Sequence, residues 1–445
     1  MQMPRDFFER TKKDLPKLLE VFPTPFHLYD ETGIRETARR MKKAFSGHPY
    51  FKEFFAVKAL PNPAILQIMQ EEGFGSDCSS IPELVLARAV GNKCSDIMFT
   101  SNNTTPEEYL AAREGTPEYI WHNGYLQNAA NAVKQGGCIL NLDDITFIPK
   151  AAKALGGLPE TVCFRYGPRD RRRKGKNVMG DGDSRKYGLT REQIIKAFCS
   201  ARNYGARRFG LHCMIASNKL DYRYLVNTVK KLLAIGGLLK RETGIILDFI
   251  NPGGGVGIPY KPHQRDFNIE AYAAGSLEAL REFQKDYGYV PNFYTECGRY
   301  MTGPHGVLVM RIINKMMKYK LYYGVDACAS ACPRPFIYDA YHGIIIPRLQ
   351  GKHIKRVKAD VVGSLCENAD KFAHDRLMMP AEEGDIALLE HTGGHSWAMG
   401  STYNARLRVA EVLRGINGTA KLIRRAETIE DYFATLNFTP ISVKL

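Results

Sequence analysis

The sequence predicts an α/β fold, a (β/α)8 TIM barrel followed by a C-terminal mostly-β domain of sandwich or barrel-like form, and three observations predict it. Eight short apolar, β-rich segments recur over the first 300 or so residues with helix-patterned stretches between them. Beyond that point the texture changes to close-spaced strand-like runs separated by Gly, Pro and charged turns. The length, 445 residues, exceeds what a single hydrophobic core usually organises, so two domains are expected. The expected divisions are 1–35, an N-terminal segment packing with the β domain; 36–300, the barrel; and 301–445, the β domain.

The eight barrel segments, in order, are FFAVKA from Phe54, GSDCSS from Gly75, IMFTS from Ile97, CILNLD from Cys138, VCFRYG from Val162, FGLHCMI from Phe209, IILDFI from Ile245 and FYTECG from Phe293. Stretches such as PNPAILQIMQEEG and REQIIKAFCSARNYG carry apolar residues at helical spacing and end in Gly, which is how a βα unit closes. Polar residues at the carboxyl ends of the strands therefore become site candidates. In the C-terminal part, GVLVMRIINK, KLYYGVDA, HGIIIPRL, KADVVGS, DIALLEH and RLRVAEVLR read as strands. TPFHLYD, ahead of the first barrel unit, is also strand-like and is expected to pack with the β domain, so that both domains share the site.

Hydrophobic and charged fractions of 44% and 24% are those of an ordinary globular protein, which argues against disorder. No apolar run approaches the ~18 residues of a membrane span, and the charged start MQMPRDFFERTKKDLPKL does not read as a signal peptide, so a cytoplasmic protein is expected. Ten cysteines without a CxxC pair or finger-like spacing read as free thiols, and no metal site is expected. The net charge is +15, yet its densest run, Arg169 to Lys176, lacks interleaved aromatics. It reads as a solvated or anion-attracting loop rather than a nucleic-acid surface.

Three places could carry chemistry. Lys58 ends an apolar strand, where an ammonium is costly unless its pKa is lowered or its nitrogen is bonded in a Schiff base; an ion-paired or snorkelling lysine is the open alternative. No Gly-rich loop, HRD or DFG accompanies it, which sets a kinase aside. NPGGGVGIPY, Asn251 to Tyr260, offers successive backbone N–H groups to a phosphate, or is simply a glycine turn; Pro259 and Pro262 disfavour a dinucleotide loop running into a helix. TECGR places Glu296 and Arg299 at the barrel mouth, either as an ion pair or with the carboxylate keeping a pyridine nitrogen protonated, so that the ring remains an electron sink.

Taken in order, AVKALPNP, SDCSSIPEL, NPGGGVGIPY, TECGRY, VDACASACPRPFIYDAYH, GSLCENADKFAHDR and MGSTYNARLRVAEVL closely resemble the diaminopimelate decarboxylase family, from about residue 20 onward. That family belongs to the alanine-racemase-like (fold type III) class of enzymes built on a barrel that binds pyridoxal phosphate (PLP) and a C-terminal β domain. The resemblance implies conversion of meso-2,6-diaminopimelate to L-lysine and CO2, the last step of lysine biosynthesis. It implies that Lys58 carries the PLP aldehyde as a Schiff base, that Glu296 faces the pyridine nitrogen and that Asp77 belongs to the cofactor set. Ser217, Gly253, Gly254, Gly255, Gly298 and Tyr403 match phosphate-binding positions, Tyr403 serving the substrate as well. Arg299, Arg334 and Tyr338 match residues that hold the substrate's distal carboxylate, and Glu367 matches the residue for its distal amine. Cys366 matches a cysteine that enters the neighbouring subunit's site and guides a proton, which implies a homodimer.

Two departures stand out. Where the family reads HxHIGS this chain reads HCMIAS, so Met214 replaces the histidine that stacks on the cofactor ring; His212, two residues away on the same strand face, compensates only if the strand is distorted. The segment Pro117 to Gly137, with Trp121 and His122, is longer than the family's connection. Alternatives are a decarboxylase of another basic amino acid or a carboxylated polyamine. Less favoured are a racemase, which would set arginine rather than Glu296 against the ring nitrogen, and a non-catalytic PLP carrier, which would leave Arg334, Cys366, Glu367 and Tyr403 unexplained.

Overall fold

The structure, a computed structural model, describes residues 3–122, 125–132, 137–168 and 186–436. The basic run at 169–176 lies outside the described residues. In chain order the strands are β1 (Phe26–Asp30), β2 (Phe51–Ala56), β3 (Gly75–Cys78), β4 (Ile97–Phe99), β5 (Pro117–His122), β6 (Tyr125–Ala132), β7 (Ile139–Leu142), β8 (Thr161–Arg165), β9 (Arg208–His212), β10 (Phe249–Asn251) and β11 (Asn292–Thr295). They continue with β12 (Gly306–Met317), β13 (Leu321–Val325), β14 (Ile344–Ile345), β15 (Val357–Val362), β16 (Lys371–Met378), β17 (Ile386–Leu389), β18 (Ala410–Arg414) and β19 (Ala420–Arg424). The chain divides into two compact units, one of residues 33–259 and 263–303, the other of residues 1–32, 260–262 and 304–445.

In the first unit β2, β3, β4, β7, β8, β9, β10 and β11 close into a barrel in that order, every neighbouring pair parallel. Each strand overlaps one of the eight segments read from the sequence. Phe54, Met98, Ile139, Cys163 and Phe249 form an apolar core on these strands, with Tyr294 packed against it and its ring 4.5 Å from that of Phe249. Gly210 on β9 leaves room for this filling, since a Cβ there would lie 2.0 Å from the Phe249 ring. The helices start where the sequence supplies caps. Asn62 accepts the Ala64 N–H (3.1 Å) ahead of Pro63–Glu71, and Thr190 with Gln193 forms a capping box ahead of Arg191–Asn203.

Three strand expectations are corrected. β2 ends at Ala56, so Lys58 lies in a 3-10 turn, Val57–Ala59, rather than on the strand. β9 ends at His212, so Met214 is beyond it, and the two do not share a strand face. Of IILDFI, only the last two residues enter β10. Within Pro117–Gly137, β5 and β6 form an antiparallel two-stranded sheet of their own.

In the second unit nine strands form one sheet, ordered β16-β15-β13-β12-β1-β18-β19, with β17 pairing both β12 and β14. β1 sits in its middle, antiparallel to β12 and parallel to β18. A β-bulge between Ile312 and Asn314 interrupts the pairing of the long β12 with β13. Two apolar clusters fill this unit, one around Leu308, Met310, Tyr323 and Phe372, the other joining Phe26, Leu28 and Val309 to Phe7, Phe8, Leu15 and Leu18 of the helix Arg5–Val21. HGIIIPRL supplies only the two residues of β14, while β16, β19 and the N-terminal helix had no counterpart in the sequence reading.

None of the ten cysteines is joined in a disulfide. Among the described residues no three His, Cys, Asp or Glu side chains are placed to hold a metal, and no helix is long and apolar enough to cross a membrane.

Candidate active site

Lys58 and Asp77 meet because their strands are neighbours: Ala56 at the end of β2 is in register with Asp77 on β3. The Lys58 ammonium donates to Asp77 Oδ2 at 2.6 Å, with half of the lysine side chain exposed and the aspartate buried. Burial pulls the Lys58 pKa down, but the charge and hydrogen bond of Asp77, helped by Glu296, outweigh it and raise it to about 12. Burial pushes the Asp77 carboxyl up, and the Lys58 ammonium works against that push. A charged pair, rather than a lysine of lowered pKa, is therefore how the free chain accommodates this ammonium. Glu83, from the helix that follows β3, accepts the Ser79 N–H at 2.6 Å and is pushed up to about 6 by burial.

Glu296 follows β11, and its carboxylate is engaged at both oxygens. Asn251 at the end of β10 donates to Oε1 at 2.7 Å, and His212 Nε2, at the end of β9, lies 3.0 Å from Oε2. Burial alone would raise this carboxyl, yet His212, then Lys58 and the Asn251 amide, pull it below the ordinary range. Glu53 on β2, fully buried, accepts from the Thr295 hydroxyl and the Cys297 N–H and so fixes the backbone on either side of Glu296. Burial raises the Glu53 carboxyl well above its usual value against both hydrogen bonds. Two acidic side chains beside one turn are thus pushed in opposite directions, Glu53 toward its neutral form and Glu296 toward its ionised form.

The glycine loop is tied to the same turn. The Gly253 N–H donates to Asn251 Oδ1 (2.9 Å), and the Glu296 N–H donates to the Gly253 carbonyl (3.1 Å). A Cβ on Gly254 would lie 2.1 Å from the Glu296 carbonyl oxygen. Gly253 and Gly255 hold φ of +71° and +87°, where side chains are strained. On its other side the loop meets the 216–219 segment: the Lys219 N–H donates to the Gly255 carbonyl at 2.8 Å, and a Gly255 Cβ would lie 2.6 Å from the Ala216 carbonyl oxygen. Met214 Sδ would lie 2.9 Å from a Cβ on Gly253, and Ala59 Cβ 2.5 Å from one on Gly298.

Lys58, Asp77, Met214, Ser217, Gly253 to Gly255, Glu296 and Gly298 are thus brought together at one end of the barrel. Sequence reasoning missed Glu53, and it named His212 only as a substitute for the stacking imidazole and Asn251 only as the start of the glycine loop, not as partners of Glu296. Glu53 was detectable as the one acidic residue of FKEFFA, directly ahead of the apolar Phe54, Phe55 and Ala56.

A PLP-sized group with a phosphate, an aldehyde and a basic ring nitrogen fits this set. The set supplies a glycine-rich turn, a primary amine and an ionised carboxylate. Asp77 Oδ1, Asn141 Oδ1 and His212 Nδ1 are buried at the same strand ends with no hydrogen-bond partner among the described residues, as expected where a polar ligand completes the site.

The remaining predicted residues occupy separate places. Arg299 opens the short helix Arg299–Thr302 in the barrel unit. In the β unit, Arg334 is buried at the start of the helix Arg334–Tyr338, whose last residue, Tyr338, is exposed. Cys366, Glu367 and Tyr403 are exposed on adjacent turns, joined where the Cys366 N–H donates to Asn404 Oδ1 at 2.8 Å.

Residues 31–303 match the family described as pyridoxal-dependent decarboxylase, pyridoxal binding domain. The chain is 39% identical over 448 residues to Protein TabA of Pseudomonas amygdali pv. tabaci, covering 100% of this chain and 98% of the relative. It is 31% identical over 420 residues to the diaminopimelate decarboxylase of Methanothermobacter thermautotrophicus, covering 94% and 92% of the two chains. Among solved structures it superposes on the M. jannaschii diaminopimelate decarboxylase in co-complex with L-lysine with a TM-score of 0.83, at 27% identity, covering 95% of this chain and 94% of that one. The Helicobacter pylori diaminopimelate decarboxylase complexed with L-lysine gives 0.81 at 25% identity, covering 94% and 98%. A barrel matched along its whole length, a lysine, carboxylate and glycine-loop set that suits the cofactor, and relatives matched nearly end to end place this chain in the family of PLP-dependent, fold type III decarboxylases.

Proposed function

We propose that this decarboxylase acts on meso-2,6-diaminopimelate and releases L-lysine and CO2, as a cytoplasmic homodimer. The observation that carries the reading is the buried Glu296 carboxylate, kept ionised by His212 and Asn251 beside the Lys58–Asp77 pair. When bound, PLP supplies the electron sink that takes up the pair left by departing CO2. An ionised Glu296 would hold a proton on the ring nitrogen and keep that sink strong, whereas an arginine there would weaken it.

Lys58 would hold the aldehyde through Nζ, and Asp77 Oδ2, 2.6 Å away, is the acceptor for the proton Nζ must give up first. Gly253 to Gly255, Ser217, Gly298 and Tyr403 would hold the phosphate. Met214 would pack its thioether against the ring face in place of an imidazole, keeping contact while losing a titratable group. Arg299, Arg334 and Tyr338 would bind the distal carboxylate, the planar guanidinium forks matching its two oxygens, and Glu367 the distal amine. Cys366 of one protomer would complete its partner's site and deliver the proton that replaces CO2.

Met214 in place of the stacking histidine supports one second reading, the same chemistry on another basic amino acid or a carboxylated polyamine, and the relative of higher identity, Protein TabA, carries a name that states no substrate. The test is CO2 release and product identity with PLP-loaded enzyme offered meso-diaminopimelate, lysine, ornithine and carboxynorspermidine. Lysine formed from diaminopimelate alone supports the proposal. Turnover of one of the others instead transfers it to the second reading.

A further inference from the structure

Arg334 does not stand in its unit unsupported. Its Nη1 donates to His342 Nε2 at 2.8 Å, and His342 Nδ1 lies 2.7 Å from the Glu390 carbonyl oxygen. A guanidinium can only donate and a carbonyl can only accept, so these two partners define the imidazole: neutral, with the proton on Nδ1 and a lone pair on Nε2. His342 is fully buried, and its own carbonyl accepts from Arg376 Nη1 at 2.9 Å. The Tyr260 ring lies beneath the guanidinium, 4.4 Å from Arg334 Cζ, and meets His342 edge-on with centroids 5.1 Å apart.

We propose that His342 is a positioning residue for substrate carboxylate recognition. Its neutral Nδ1–H tautomer, anchored on Glu390, takes one guanidinium nitrogen of Arg334 and, with Tyr260, fixes the plane in which the rest of the fork is presented. A neutral acceptor orients the guanidinium without cancelling its charge, which a carboxylate in that position would do. The inference rests on the reading that Arg334 binds the distal carboxylate, and it goes beyond that reading in naming what aims it.

Two variants separate the two bonds of the imidazole. In His342→Asn an amide nitrogen reproduces Nδ1 and its bond to Glu390, and the acceptor for Arg334 is lost. In His342→Gln an amide oxygen reproduces Nε2, and the anchor is lost. L-lysine and cadaverine differ only by the carboxylate, so calorimetric binding of each to PLP-loaded protein reads recognition without turnover.

The wild type is expected to prefer lysine. His342→Asn should lower that preference about tenfold and leave cadaverine binding unchanged, while His342→Gln keeps it within about threefold. With diaminopimelate, His342→Asn should raise KM and leave kcat near wild type. Equal losses in both variants, or losses for both ligands, mean a structural role and overturn the proposal. Undiminished preference in His342→Asn overturns it while leaving the substrate reading intact. A wild type that makes no lysine from diaminopimelate yet shows the predicted pattern of preferences removes the substrate reading alone. If His342→Asn does not fold, 15N NMR of histidine-labelled wild type decides: a protonated or Nε2–H imidazole at 342 overturns the assignment.

Discussion

Glu53 and Glu296 show how burial and partners divide two carboxyl groups into different roles. Glu53→Gln, isosteric with a neutral carboxyl, should leave stability at low pH nearly unchanged. Glu53→Ala strands the Cys297 N–H and the Thr295 hydroxyl and should cost about 1–3 kcal/mol in urea unfolding. The pH dependence has a defined sign. Burial raises the folded-state pKa of Glu53 well above the ordinary 4.5, so this group's contribution is intact below that pH and is lost as pH rises toward the folded value. Stability of Glu53→Gln relative to wild type should therefore increase from pH 5 to pH 8. For Glu296→Gln, which keeps shape and removes charge, CO2 release should fall roughly 100-fold with PLP content retained. Lys58, Glu296 and the glycine loop were legible in the sequence because each is a conspicuous group at an apolar strand end. His212 and Asn251 were not, because their value lies in reaching one carboxylate from two other strands, a relation that no linear spacing records.

At the scale of elements, the 253–255 loop is held by backbone on both sides, between the Glu296 turn and the 216–219 segment. Gly254→Ala would press a Cβ into the Glu296 carbonyl and move the carboxylate with the loop. It should weaken PLP affinity at least about tenfold and lower stability by about 2 kcal/mol, both measurable by fluorescence titration and thermal unfolding. Barrel strands were readable because most are short runs buried on both faces. The edge strands β16 and β19 were not, since KFAHDRLM and AKLIR carry the charges that keep an exposed edge from pairing with other chains. The helix Arg5–Val21 was hidden similarly: Phe7, Phe8, Leu15 and Leu18 share a buried face, but charged residues and Pro16 surround them.

At the scale of the whole molecule, the β unit depends on a strand from the opposite end of the chain. Deleting residues 1–30 removes β1 from between β12 and β18, along with the helix whose Phe7 and Phe8 complete its apolar cluster. The truncated protein should lose protease resistance across residues 304–436, and adding a peptide of residues 3–32 should restore part of it; undiminished resistance would show that β12 and β18 hold together without β1. The TPFHLYD strand and its attraction to later strands were legible from its strand-like run and its position ahead of the first barrel unit, but its central place between partners of opposite direction was not, because pairing direction is set by the path of the whole chain. This arrangement also sets a timetable during synthesis. Phe26 pairs with Val309 and with Ala410, so at ribosomal speeds of ~5–20 residues per second β1 waits about 20–80 s for its last neighbour. The barrel strands are complete much earlier, at Thr295. Until β12 is made, a nascent segment with two bare phenylalanines and an unpaired strand is displayed outside the exit tunnel, and one edge of β1 stays open until β18 follows, which makes this segment the natural landing place for a chaperone.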